Sequence, residues 1–226
     1  MWSSSTEWDE LGEREPYFAV LTDERFLRDR VDLGEFYATG EADVERLLGD
    51  LEPRSALDFG CGVGRLTRAL AKRVPDVVGV DAAASMLRIA AENVPAARFM
   101  RELPDRRFDF VCSLIVFQHI PVAEGMAILD RLLAIADRAA ALHFTFRRPG
   151  GSLRRLARRL RARLPLLHRI ASQLEGDRRG LPYMQMNEYD RDAVLARYRA
   201  AGFGQPALVP TNHGGIEGAI VMGRKG

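Results

Sequence analysis

The stretch LDFGCGVGRLTRALA (Leu57–Ala71) sets three glycines, Gly60, Gly62 and Gly64, at alternate positions between a short apolar run and a helical pattern. Glycine permits a tight turn and lets backbone N–H groups come close to a ligand. Between a buried strand and a helix, such a turn holds a dinucleotide, a phosphate or another nucleoside. Its other role is a bare connection with no ligand. Two carboxylates narrow the choice. Asp58 lies in the strand just ahead of the glycines, and Asp81 ends the next strand. A strand-end carboxylate about 20 residues beyond the turn can accept both hydroxyls of a ribose. It can also cap the following helix, and both readings stand at this point.

The chain around this turn alternates. SALDFG (55–60) reads as a buried strand and GRLTRALAKRV (64–74) as a helix. DVVGVD (76–81) and ASMLRIAAENV (84–94) repeat the pair. A short strand at 97–101 and a strong apolar strand at 108–117 follow, then a helix at 122–136 and a strand at 139–146. Residues 191–203 read as a helix, and two strands across NHGG read as a closing hairpin. The order predicts an α/β fold: a doubly wound, mostly parallel sheet with a C-terminal antiparallel hairpin. In such sheets ligands bind beyond the carboxyl ends of the strands. Upstream, Val44, Leu47, Leu48 and Leu51 share one helix face.

Four segments follow: a helical N-terminal lid (1–50), a cofactor-binding core (51–146), a basic helical cap insertion (147–186) and a C-terminal helix and hairpin completing the core (187–226). At 226 residues the chain is long enough for a sizeable core. The N-terminus is polar and acidic, unlike a secretory signal. The longest apolar run is too short to span a bilayer. Cys61 and Cys112 show no metal-ligand spacing. These features point to a cytoplasmic protein with reduced thiols.

The dinucleotide fingerprint is G-x-G-x-x-G, whose third glycine lets helix and strand pack. Here the string is DFGCGVG (58–64), and it resembles the first motif of the class I S-adenosylmethionine-dependent methyltransferases. VGVDAAASMLRIA (78–90) resembles their second motif, FDFVCSLIVFQHIP (108–121) their fourth strand and the loop after it, and YDRDAVLARYRAAGF (189–203) their late helix. The resemblance covers residues 37–146 and 185–226. It implies S-adenosyl-L-methionine as cofactor. Gly60, Cys61 and Gly62 would line its methionine part, Asp58 would lie near its ammonium group, Asp81 would hold the ribose, and Ala82 and Met86 would contact the adenine. Many relatives carry an acid after the third strand that reads the adenine amino group. Here RFMRELPDRRFDF (98–110) is short, and Glu102, Asp105 or a backbone carbonyl are the alternatives.

Methyl transfer needs the acceptor in line with the S–CH₃ bond, and a hydroxyl acceptor calls for a base. His119, after the fourth strand, and His213, on the terminal hairpin, are the candidate catalytic bases. His143 reads as a strand residue and His168 as a surface residue. Cys61 fits a tight space better than it fits a nucleophile. The N-terminal aromatics suggest a lid, with Tyr17, Phe36 and Tyr37 as its contacts, or packing of the N-terminal helices onto the core. Tyr183 reads as a wall of the acceptor pocket.

The arginines of the insertion fit an anionic small molecule, a membrane surface or a nucleic acid, or else a solvated helix face. Nucleic acid is the weakest partner, because no recognition motif is present and the net charge is only +2. The acceptor expected is a small molecule, such as a secondary metabolite, a sugar or a lipid-like precursor, methylated on oxygen or nitrogen, with an anionic or lipid-like character among the options. A nicotinamide-dependent oxidoreductase, an RNA or protein methyltransferase and a catalytically silent scaffold are the competing readings.

Overall fold

The structure is a computed structural model, and it describes residues 5–147, 186–213 and 216–226. Two short helices, α1 (Ser5–Arg14) and α2 (Pro16–Leu21), lead into α3 (Leu33–Leu48). Asp32 caps α3, its carboxylate accepting from the N–H groups of Gly34 and Glu35. This cap starts α3 seven residues ahead of the apolar spacing at 40–51.

The core then alternates as expected: β1 (Ser55–Phe59), α4 (Arg65–Ala71), β2 (Asp76–Val80), α5 (Ala84–Asn93), β3 (Arg98–Met100), β4 (Phe108–Ser113), α6 (Val122–Ile135) and β5 (Ala136–Phe144). The C-terminal part adds α7 (Arg191–Ala200), β6 (Ala207–His213) and β7 (Ile216–Arg224). The seven strands lie in the order β3-β2-β1-β4-β5-β7-β6. The first five are parallel, and β7 runs antiparallel between β5 and β6.

The strand expected at 108–117 stops at Ser113. Beyond it Ile115 takes a left-handed backbone (φ +63), and Phe117–His119 forms a 3₁₀ turn. The apolar run continues because it walls a cavity, not because the strand does. At the other boundary, β5 begins at Ala136 directly from α6, three residues earlier than the pattern suggests.

Side chains alternate across the sheet. Leu57 and Phe59 join the cluster formed with α6 and α7, through Leu129, Leu132, Val194 and Tyr198. Ala56 and Cys112 face α3 and α4, through Leu47, Leu48, Leu66 and Leu70. A third cluster packs the N-terminal segment on Val63, Ala83 and Met86, with Phe26, Phe36 and Tyr37 at its centre. Between β3 and β4 the described chain forms no helix, only the connection 101–107. Among the described residues no helix is long and apolar enough to cross a membrane.

Candidate active site

A cavity opens at the carboxyl ends of β1, β2 and β4, where the topology predicts a ligand. Gly60, Gly62 and Asp81 form one side, with Ala82 and Met86 next to them. Leu114, Ile115 and Val116 form the opposite wall, and His119 and Ile120 continue it. Trp8, Ala19 and Val20 close it from the N-terminal segment.

The glycine turn is needed for steric reasons. Gly60 has φ +74, and a Cβ there would lie 2.2 Å from Val116 Cγ2. Gly62 has φ +52, and a Cβ would lie 2.8 Å from Val20 Cγ2. The backbone N–H groups of Gly60 and Cys61 both donate to the Val80 carbonyl, at 2.7 and 3.0 Å, which folds the turn back over β2. Ile115 faces this turn with its left-handed backbone, a strain of about 1–3 kcal/mol for such a residue. Strain of that kind collects where a wall must be shaped for a ligand.

Asp81 joins the two halves of the site. Its Oδ2 accepts from the Gly62 N–H at 2.9 Å, and its Oδ1 from the Ala83 N–H at 2.9 Å. It is not the cap of α5, whose N-cap is Ala83. Burial pushes its carboxyl up from the usual carboxylate range, while the Ala83 and Gly62 amides draw it back. Each oxygen keeps a lone pair for a further donor. From the β3 side, Arg101 Nε and Nη2 donate to the Ala82 carbonyl at 3.2 and 3.1 Å and hold that wall in place. Arg101, Glu102 and Leu103 line a second cavity that shares Ala82 with the first, whereas Asp105 lines neither.

Asp58 is 1% exposed and does not reach the cavity wall. Its Oδ2 accepts the Thr67 hydroxyl at 2.6 Å, and the Cys112 thiol lies 4.0 Å from Oδ1. Burial raises its pKa to about 6, against the Thr67 hydrogen bond and the Arg65 charge. Cys61 is buried beneath the turn, and burial pushes its thiol well above the ordinary range. The protonated thiol suits the space-filling reading.

His119 lines the cavity, 7% exposed, and its ring meets Trp8 edge to face at 4.9 Å. His213 pairs with Ile216 at the end of β6, and its side chain lies outside the described residues. So do Tyr183 and the cap expected at 147–186, apart from Arg147 and Met186. Tyr17 and Tyr37 pack in the aromatic cluster around Phe36, at 5.1 and 5.2 Å. They do not reach the cavity wall. The Tyr37 hydroxyl donates to the Val63 carbonyl, and burial pushes its phenol up.

The N-terminal segment therefore meets the cavity through Trp8, Ala19 and Val20. It is secured on α5: the Ser85 N–H and hydroxyl bond Asp9 Oδ1, at 3.1 and 3.3 Å, and the hydroxyl also reaches the Asp9 carbonyl at 3.0 Å. A Cβ at Gly12 would lie 2.3 Å from Ser85 Oγ, so α1 approaches α5 closely only with a glycine there.

Comparison with known proteins agrees with this geometry. The methyltransferase domain family matches residues 56–137. Trans-aconitate 2-methyltransferase of Rhodopseudomonas palustris (strain BisB5) is 35% identical over 99 residues, which are 41% of this chain and 38% of that protein. Ubiquinone biosynthesis O-methyltransferase of Alkalilimnicola ehrlichii is 32% identical over 121 residues, 48% of this chain and 43% of that protein. The chain thus spans less than half the length of these curated relatives. Among solved structures, magnesium protoporphyrin IX methyltransferase from Synechocystis PCC 6803 with bound SAH superposes with a TM-score of 0.68 at 20% identity, covering 98% of each chain. The chain has the fold of the class I S-adenosylmethionine-dependent methyltransferases, and residues 56–137 match the methyltransferase domain family.

S-adenosylmethionine fits the residues present. Two glycines put backbone rather than side chain on the cavity wall, a half-buried carboxylate offers acceptors for ribose hydroxyls, and Ala82 and Met86 supply an apolar seat for a base. Several parts of the site had no signal in the sequence. Trp8, Val20 and Ile115 arrive through long-range packing, and the Arg101–Ala82 bond arrives through the short β3–β4 connection.

Proposed function

We propose that the chain is an S-adenosylmethionine-dependent methyltransferase acting on oxygen or nitrogen of a small molecule. The observation that carries this reading is the convergence of Gly60, Gly62, Asp81, Ala82, Met86 and His119 on one cavity. The names of the relatives, trans-aconitate 2-methyltransferase and ubiquinone biosynthesis O-methyltransferase, support a small acceptor. S-adenosylmethionine, held by these residues, would supply an electrophilic methyl on its sulfonium.

The chain's own residues bind and orient. Asp81, held by two backbone amides, accepts the ribose hydroxyls. Ala82 and Met86 flank the adenine. Gly60 and Gly62 let the backbone approach the methionine part. Asp58 acts on that part through the turn it supports, since its carboxylate bonds Thr67 of α4. Trp8 and Val20 exclude water from the reacting end. His119 takes the acceptor proton where the acceptor is a hydroxyl, and its place on the cavity wall supports that role. The arginines of 147–186 favour an anionic or lipid-like acceptor and a peripheral membrane contact.

Calorimetric titration with S-adenosylmethionine, S-adenosylhomocysteine and NAD tests the reading. Micromolar binding of the first two and none of NAD is expected. NAD binding alone, or no binding of either methyl cofactor, would remove the proposal.

A further inference from the structure

The loop that carries His119 is held by a buried set of polar contacts that the reading above does not use. Gln118 is 4% exposed, His119 7% and Thr145 7%. The Gln118 amide nitrogen lies 3.1 Å from His119 Nε2. Its amide oxygen accepts the Thr145 hydroxyl at 3.3 Å. The backbone is clamped as well. The Asn187 N–H and side-chain amide both donate to the Gln118 carbonyl, at 2.6 and 3.2 Å. The Tyr189 hydroxyl donates to the Ile120 carbonyl at 2.9 Å, and the Tyr189 N–H to the Thr145 carbonyl at 2.8 Å.

A glutamine amide nitrogen can only donate, and its oxygen can only accept. With the oxygen turned to Thr145, the nitrogen presents N–H to His119. The ring nitrogen it meets must then accept, so Nε2 carries no proton. A neutral imidazole keeps one proton, and that proton sits on Nδ1. A proton on Nε2 would set two N–H donors against each other in a buried site, where an unpaired donor is costly.

We infer that Gln118 is a positioning residue: its side-chain amide holds His119 as the neutral, Nδ1-protonated tautomer with Nε2 as the accepting nitrogen. This inference rests on the proposed role of His119 only for its bearing on the reaction. Nε2 is then the nitrogen that takes a proton, and the Gln118 N–H occupies its lone pair until an acceptor O–H replaces it. Asn187 and Tyr189 fix the loop from the far end of the inserted segment, so the ring orientation depends on where the chain returns to the core.

The test is a long-range ¹H–¹⁵N correlation spectrum of the full chain, with ring signals assigned by their loss in His119→Asn. The expected result is an unprotonated Nε2 and a protonated Nδ1 for His119. An Nε2–H ring in the wild type overturns the inference, because the amide is then turned over. Gln118→Glu offers only acceptors and is expected to draw the ring proton to Nε2, whereas Gln118→Met removes both groups and should leave a mixture. An unchanged tautomer in a folded Gln118→Glu, judged by circular dichroism, also overturns it. In turnover with the true acceptor, Gln118→Glu should lower kcat by at least about tenfold while cofactor affinity stays within about twofold. The outcomes separate from those of the methyltransferase reading. The expected tautomer without cofactor binding removes the proposed function alone; cofactor binding with the reverse tautomer removes this inference alone.

Discussion

Replacing Asp58 by Asn tests the electrostatics under the glycine turn. The carboxylate is 1% exposed and its folded-state pKa is about 6, raised chiefly by burial. Its unfolded value is about 3.9. The folded state therefore holds the proton more tightly between these values. Stability from this group is fully present below about pH 4 and is lost as pH rises through 6. A gap of about two units corresponds to about 3 kcal/mol. Asn cannot ionise, yet its side-chain oxygen can still accept the Thr67 hydroxyl. The stability of Asp58→Asn relative to wild type should thus rise by about 3 kcal/mol between pH 4 and pH 7, and level off above. Urea denaturation of both proteins across that range measures the difference, and titrations common to both cancel. If the two stability curves run parallel with pH, Asp58 is not the buried, uphill carboxylate described here.

The other predictions concern the cavity and its cover. Gly60→Ala puts a Cβ 2.2 Å from Val116 in a left-handed backbone; a loss of about 2–5 kcal/mol in thermal or urea unfolding is expected, and an unchanged midpoint would contradict the packing. Asp81→Ala removes the proposed ribose acceptor and should weaken S-adenosylmethionine binding at least about tenfold by calorimetry; equal affinity would sink the assignment. Asp9→Ala removes the Ser85 contacts that secure α1, so α1 amides should exchange faster and bound cofactor should dissociate sooner, whereas unaltered exchange would show that Trp8 and Gly12 alone hold the cover.

Much of this fold is local chemistry and is legible along the chain. β1 and β2 are apolar runs ended by a glycine turn and a carboxylate, and α4 follows at once. Asp81, Ala82 and Met86 were legible for the same reason, since a strand end and the first helical turn after it are neighbours in sequence. The errors of boundary also have local causes. The Asp32 cap starts α3 early. Apolar residues 114–117 extend the strand pattern, although they leave the strand to wall the cavity.

What sequence spacing does not carry is the meeting of distant segments. Trp8 touches His119 across more than a hundred residues, and Asn187 bonds Gln118 across 69. Neither pair has a periodic signature, because each contact follows from the packing of distant segments rather than from helical or strand repeat. The placement of Tyr17 and Tyr37 shows the consequence. Their aromatic character marked the N-terminal segment, but both rings meet Phe36 edge to face in its cluster, and the smaller Ala19 and Val20 reach the cavity instead. Val20 packs directly on the glycine turn: a Cβ added at Gly62 would lie 2.8 Å from Val20 Cγ2. The chemistry of the site is thus written locally around Gly60 and Asp81, while its shape is set by what α2 and the His119 loop bring against them.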